Sequence, residues 1–410
     1  MKKFFALLLS LAMVLALVAC GQKDPTPDTP DTPDDPQTKV EYKVAMITDY
    51  GDITDQSFNQ TTYEACKAFA EDNSIEFSYF KPAGDNTADR VAMIEKAVDE
   101  GFNVIVMPGY AFGGAIVEAA PEFPDVKFIA LDVAAGDLLE TAVAKAGEAY
   151  DYTPENWDLN KYVDMSNVYC AVYQEELCGY MAGYAAVKLG YKNLGFLGGM
   201  AVPAVVRYGY GFVQGVDAAA ADLGLTDVKL NYIYGGQFFG DADITAVMDT
   251  WYQGGTEVVF ACGGGIYTSA VDAAKKANAK VIGVDVDQAG VIAKYAGVDG
   301  MTVTSAMKGL YPATYDTLTD VIVNGNWEKY VGKIETLGLV SGTDPEANYV
   351  QIPMGDGTQW SDSFTQDDYK AMVKDMFDGK ITVSNNTSSD VSAADFATVI
   401  TVDDQGSIKG

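Results

Sequence analysis

The 410 residues include no histidine. That absence excludes Ser-His-Asp triads, Cys-His dyads and His-ligated zinc, and with them much of hydrolase chemistry. Basic residues are scarce: 27 Lys and Arg stand against 58 Asp and Glu, a formal charge of −31 at pH 7. A chain so acidic lacks the basic face needed to displace counterions from phosphate, so no nucleic-acid partner is expected. The five cysteines form no CxxC pair, which leaves a structural metal or redox motif unsupported. Neither a phosphate-cradling P-loop nor the G-x-G-x-x-G spacing occurs, so no cofactor and no metal are expected. The apolar share of 48% rules out wholesale disorder, and the length suggests two or three domains. An acidic binding protein, or an enzyme working through carboxylates and lysine, survives these exclusions.

The first residues read as an export signal. Lys2 and Lys3 precede residues 4–19, which are apolar but for Ser10. Such a run is short for a membrane span of ~20 residues and suits a signal-peptide core. It ends in Leu17-Val18-Ala19-Cys20-Gly21, which resembles a bacterial lipobox and would make Cys20 the lipidated first residue after removal of residues 1–19. No later segment offers ~18 uninterrupted apolar residues. The rest is therefore expected to be soluble, held extracytoplasmically on the cell membrane by lipid. Residues 20–41 are rich in Pro and Asp. Polyproline II stiffness and like-charge repulsion make them a semi-rigid tether, whose Pro- and Asp-bearing part, residues 21–38, reaches up to about 55 Å at ~3.1 Å per residue. Of the remaining cysteines, Cys170 and Cys178 could bridge in an exported protein or stay free and buried.

From Lys43 onward, short β-branched runs alternate with amphipathic segments. Strands are expected at 44–48, 75–80, 104–107, 128–131, 168–172, 194–197, 229–234, 258–261, 281–284 and 301–304. Helices are expected at 62–72, 90–100, 179–189, 202–223, 243–252 and 269–278. Apolar runs with little alternation suit parallel strands buried on both faces, and the βαβ rhythm implies α/β, doubly wound sheets. Ten strands exceed one such domain, so two similar lobes are expected. The rhythm breaks at 133–165, read as a surface excursion near the crossing between lobes; 324–348 and the tail after 385 are weakly patterned. Gly209, Gly211 and Gly215 fall inside a helical pattern, where close packing is their expected role.

In parallel α/β sheets ligands sit beyond the carboxyl ends of strands. Here those ends carry acids, aromatics and glycines: Asp49, Gly51, Asp52 and Asp55 after the first strand, Pro108-Gly109-Tyr110 after the third, Asp132 after the fourth, then Gly198-Gly199-Met200, the stretch 235–241, Gly263-Gly264-Gly265, 285–288 and 305–308. Asp52 and Asp55 read as turn formers and helix caps.

These signatures resemble the basic membrane protein family of bacterial lipoproteins. Thr48-Asp49-x-Gly51 with Asp55-x-Ser57-Phe58-Asn59 matches it. So do Phe128 to Asp132, Gly195 to Met200, Val281-Ile282-Gly283-Val284-Asp285-Val286-Asp287-Gln288 and Thr304 to Lys308, in unbroken order from Lys43 to Gly325. Family members are substrate-binding proteins of ABC transporters, and characterised ones bind nucleosides, purine nucleosides especially. The resemblance implies a type I periplasmic-binding-protein fold whose two lobes close on a ligand. The lobes would be 42–165 plus 306–337 and 166–305 plus 338–410. It implies a monomer, a permease as partner and no catalysis. Phe58 would stack on the base, Asp49 and Asn59 would bind its edge, and Asp132 would assist. Asp285 and Lys308 would bind ribose with the backbone at Gly263 or Gly264. The opposing plate would be Phe238 or Phe239; this sequence has an extra aromatic there, and Phe239 is favoured.

Competing readings keep the fold but bind riboflavin or a sugar, or make a carboxylate-based nucleoside hydrolase using Asp49 or Asp285 as base, or require no pocket at all, as in an adhesin. Absence of a P-loop and a surplus of strand-end carboxylates argue against nucleotides.

Overall fold

The computed structural model describes residues 41–409. The leader, Cys20 and all but the last residue of the expected tether lie outside the described residues. No described helix is long and apolar enough to cross a membrane.

The strands are β1 (Lys43–Ile47), β2 (Glu76–Phe80), β3 (Val104–Pro108), β4 (Lys127–Leu131), β5 (Val168–Tyr173), β6 (Asn193–Gly198), β7 (Lys229–Tyr234), β8 (Val258–Cys262), β9 (Lys280–Asp285), β10 (Thr302–Lys308), β11 (Ile334–Leu337), β12 (Val350–Gln351) and β13 (Thr401–Ser407). Among the described residues they form two sheets, in the orders β11-β5-β4-β3-β1-β2 and β12-β10-β9-β8-β6-β7-β13. Pairing is parallel except between β10 and β12. Every residue of β3 and β8 is buried, as expected of central parallel strands covered on both faces. All ten anticipated strands are present. The architecture is α/β, with two lobes each built on a largely parallel sheet.

The helices are α1 (Phe58–Asn73), α2 (Thr87–Asp99), α3 (Gly113–Ala119), α4 (Ala135–Lys145), α5 (Leu159–Tyr162), α6 (Glu175–Lys188), α7 (Pro203–Asp222), α8 (Ala242–Gln253), α9 (Tyr267–Ala277), α10 (Ala289–Ala296), α11 (Leu310–Leu318) and α12 (Gln366–Phe377). Helices α6 and α7 cross with their backbones nearly touching. A Cβ on Gly179 or Gly183 would strike the carbonyls of Tyr208 and Phe212, and one on Gly211 or Gly215 those of Glu176 and Tyr180. Reciprocal glycines therefore fix this crossing, which brings Glu175 beside Arg207.

Three expectations need correction. The lobe boundary at 165/166 falls too early: β5, buried at all but one residue, pairs with β4 in the first sheet, so the chain crosses only after Tyr173. Likewise 306–308 complete β10 in the second sheet, and the return crossing follows Lys308. Finally, 133–165 is not wholly a surface excursion. Its first third is α4, whose Leu138, Leu139, Ala142 and Val143 are buried; only the stretch after Lys145 is largely exposed. The weakly patterned segments supply β11 and β13, and β12 and α12 arise between them, where no element was anticipated. Their edge positions demand little hydrophobic alternation: no residue of β13 is buried. Cys66, Cys170, Cys178 and Cys262 are all free and buried, so Cys170 and Cys178 do not bridge.

Candidate functional site

The carboxyl ends of both sheets face one cavity, about 800 Å³ of empty space with its open mouth included. From β1 comes Asp49, whose Oδ1 accepts the backbone N–H groups of Tyr50 at 2.6 Å and Gly51 at 2.8 Å. Burial raises its pKa, and those two hydrogen bonds oppose the rise. Asp55 does not reach the cavity. It accepts N–H groups from Ser57, Asn59 and Gln60 at 2.9–3.1 Å, and so supplies the start of α1 with the cap that Ser57 does not provide. Asp52 is occupied by Thr54 and Lys81.

Freed from capping, Ser57 donates its hydroxyl to Asp285 Oδ2 at 2.5 Å, across from the first lobe to the second. Gln288 Nε2 donates to the Gln56 carbonyl at 3.1 Å, a second bridge with the donor on the other lobe.

Asp132 directly follows β4 and Asp285 ends β9, and both have left-handed backbones, with φ of 59° and 65°. For a residue other than glycine this conformation costs about 1–3 kcal/mol and persists only where surroundings impose it. Here both carboxylates are brought to Lys308 at the end of β10. Lys308 Nζ pairs with Asp132, with Glu175 Oε1 at 3.4 Å and with Asp285 Oδ1 at 3.8 Å. It also lies 4.7 Å from the ring centre of Phe58, 5.3 Å from Tyr173 and 5.7 Å from Tyr208, within cation–π range. Burial alone would lower the lysine's pKa; the three carboxylates, Asp132 foremost, outweigh it and hold the ammonium charged. Glu175, fully buried, also accepts from Arg207 Nε at 2.7 Å. Burial pushes Asp132 up to about 6, against the opposing pull of Lys308.

The aromatic wall comes from both lobes. Phe238 lines the cavity and Tyr50 faces it, ring centres 6.4 Å apart at 37°. Phe238 is seated by glycines: a Cβ on Gly199 would collide with its ring, and one on Gly263 would lie 2.8 Å from it. Gly263 also has φ of 149°, which side chains rarely adopt. The favoured choice of Phe239 is corrected: its side chain is 59% exposed and does not line the cavity. The loop turns through a bridge between Phe239 and Gly265, which leaves only Phe238 pointing inward.

Asp49, Phe58, Asn59, Asp132, Phe238, Gly263, Gly264, Asp285 and Lys308 thus meet at one cavity, and Phe239 stays outside. Tyr110, expected at a strand end though given no role, also lines it; sequence reasoning missed Tyr50, Asp137, Arg207 and Tyr208, which line it too. Tyr50 stands between Asp49 and Gly51, at a strand end already singled out. Arg207 and Tyr208 sit in α7, where only the α6 crossing reveals their direction. Asp137 was hidden in the segment read as an excursion. Its Oδ2 accepts the N–H of Ala134 at 2.7 Å, and burial raises it to about 7. Two acceptors on this lining, Asn59 Oδ1 and Asp132 Oδ1, are buried without any hydrogen-bond partner in the protein.

Comparison with known proteins fits this geometry. Residues 42–343 match the family model described as ABC transporter substrate-binding protein PnrA-like. The chain is 26% identical over 392 residues to the ABC transporter nucleoside-binding protein BmpA of Lactococcus lactis subsp. cremoris, covering 92% of this chain and 96% of the relative. Basic membrane protein B of Borreliella burgdorferi is 26% identical over 322 residues, 76% of this chain and 83% of that protein. A solved ABC transporter solute-binding protein from Aeropyrum pernix K1 shares the fold, with a TM-score of 0.60 at 20% identity over 84% of this chain and 88% of its own. The chain therefore belongs to the PnrA-like family of ABC transporter substrate-binding proteins, a family of transport components and not of enzymes.

Proposed function

We propose that the protein captures an uncharged nucleoside, a purine nucleoside first of all, outside the cell and passes it to a membrane permease. The observation that carries this reading is the pairing of aromatic rings with partnerless acceptors on one lining: Phe238 and Tyr50 beside Asn59 Oδ1 and Asp132 Oδ1. A flat base suits the rings, at about 1–3 kcal/mol per stacked base. Buried acceptors without donors select ligands that bring N–H or O–H groups, and each such group left unpaired costs about 1–3 kcal/mol. Ribose hydroxyls and a purine edge provide them. A phosphate does not suit this lining, where Asp49, Asp132, Asp137 and Asp285 outnumber Arg207 and Lys308. The nucleoside-binding relative in Lactococcus lactis supports the same ligand class. Lobe closure would be a hinge motion about the three crossings, after Tyr173, after Lys308 and after Leu337.

The protein as purified is denatured and the released small molecules are identified by mass spectrometry. A nucleoside is the expected product; a flavin or a sugar would overturn the ligand class while leaving the transport role. The lipid anchor is tested separately. Cys20→Ser should move the protein from the membrane fraction to the soluble one, and continued membrane retention would remove Cys20 from this role.

A further inference from the structure

The loop that carries Phe238 is held from outside the cavity by the last described strand. β13 pairs in parallel with β7 at the edge of the second sheet, from Thr401 opposite Lys229 to Ser407 opposite Tyr234. Its approach is pinned to α7, where Asp217 accepts the Thr398 hydroxyl at 2.6 Å and the N–H groups of Thr398 and Val399 at 2.8 Å. Beyond β13, Ile408 N–H donates to the Tyr234 carbonyl at 2.8 Å. Lys409 then reaches the loop itself: its Nζ donates to Gln237 Oε1 at 2.7 Å and pairs with Asp241. Gln237 Nε2 in turn donates to the Phe239 carbonyl at 2.9 Å and to Asp241 Oδ2 at 3.0 Å, so the polar clasp closes on both sides of Phe238. Gly236, with φ of 78°, admits this approach, since a Cβ there would lie 2.7 Å from Lys409 Cβ. β13 and Lys409 lie beyond the residues matched by the family model, which end at 343.

We propose that Lys409 is a positioning residue for ligand binding, which acts through Gln237 and Asp241 to hold Phe238 in the cavity. This rests on the reading that a ligand stacks against Phe238. The test is a double-mutant cycle on the full chain, titrated with the tightest binder among inosine, guanosine and adenosine. Phe238→Ala should weaken binding on the order of tenfold or more. Lys409→Ala should weaken it severalfold in the parent, Lys409→Arg should restore it, and Lys409→Ala should add nothing in the Phe238→Ala background. Equal losses in both backgrounds, or no loss in the parent, would overturn the role of Lys409 while leaving the stacking reading intact. An unchanged affinity in Phe238→Ala would overturn the stacking reading and this inference with it. Melting temperatures of all variants are recorded alongside; a drop in affinity that merely follows a drop in melting temperature, without rescue by Arg, also counts against it.

Discussion

The two lobes repeat one plan. In the first sheet the strand order β2-β1-β3-β4-β5 matches β7-β6-β8-β9-β10 in the second, so Asp132 after β4 and Asp285 at the end of β9 are topological equivalents. Both adopt the same left-handed backbone and both aim a carboxylate at Lys308. Their remaining partners differ. Asp285 is satisfied within the protein, by Ser57 from the opposite lobe and by Tyr208 at 3.3 Å. Asp132 keeps Oδ1 buried and without a partner. One plan thus yields two environments: both residues reach across to the other lobe, but Asp285 is fully partnered, whereas Asp132, paired with Lys308, keeps one acceptor open toward the cavity.

Lys308 serves both turns, so its loss should have the largest effect. Lys308→Met leaves Asp132, Glu175 and Asp285 buried without their cation. About 3–5 kcal/mol of stability should go, read from urea denaturation, together with nucleoside binding. A variant as stable as the parent would show that the cluster relaxes by taking up protons.

The next effect separates the equivalents. Asp285→Asn and Asp132→Asn should each weaken nucleoside binding by about 1–3 kcal/mol in calorimetry. Both remove a charge from beside Lys308, but Asp285→Asn should lower the stability of the ligand-free protein more, because it disturbs Ser57 and Tyr208 as well. Equal losses of stability would erase the distinction drawn above.

A smaller effect depends on pH and concerns Asp137, which has no counterpart among the cavity residues of the second lobe. Its folded pKa, raised by burial to about 7, exceeds the ordinary carboxyl value of 3.8. Between those values the folded protein holds a proton that the unfolded chain has released, so this group's contribution to stability declines as pH rises through that window. Asp132, at about 6, and Glu176, at about 7, act in the same direction, which makes the difference from the parent the useful quantity. The melting temperature of Asp137→Asn minus that of the parent should therefore increase from about pH 4 to about pH 8. A flat difference would mean that Asp137 ionises normally.

Much of this was legible in the sequence because parallel strands must be apolar throughout and their ends must turn. Ten strands and nine cavity residues follow from that pattern and from the family resemblance. What stayed hidden depends on packing at a distance. Glu175 looks like an ordinary acidic residue in the first turn of α6, and only the glycine-mediated crossing with α7 shows that it links Arg207 to Lys308. Phe238 and Phe239 are chemically identical in sequence, and the seat made by Gly199 and Gly263 chooses between them. Strand β13 carries no apolar alternation because it closes an exposed edge.

The central claim is that the cavity between the lobes takes an uncharged nucleoside. Calorimetric titration of ligand-free protein with inosine, guanosine and adenosine tests it directly. Saturable binding of at least one of them, with one molecule per chain and no competition from its 5′-monophosphate, is the expected result. No binding of any of the three, or tighter binding of the monophosphate, would contradict it.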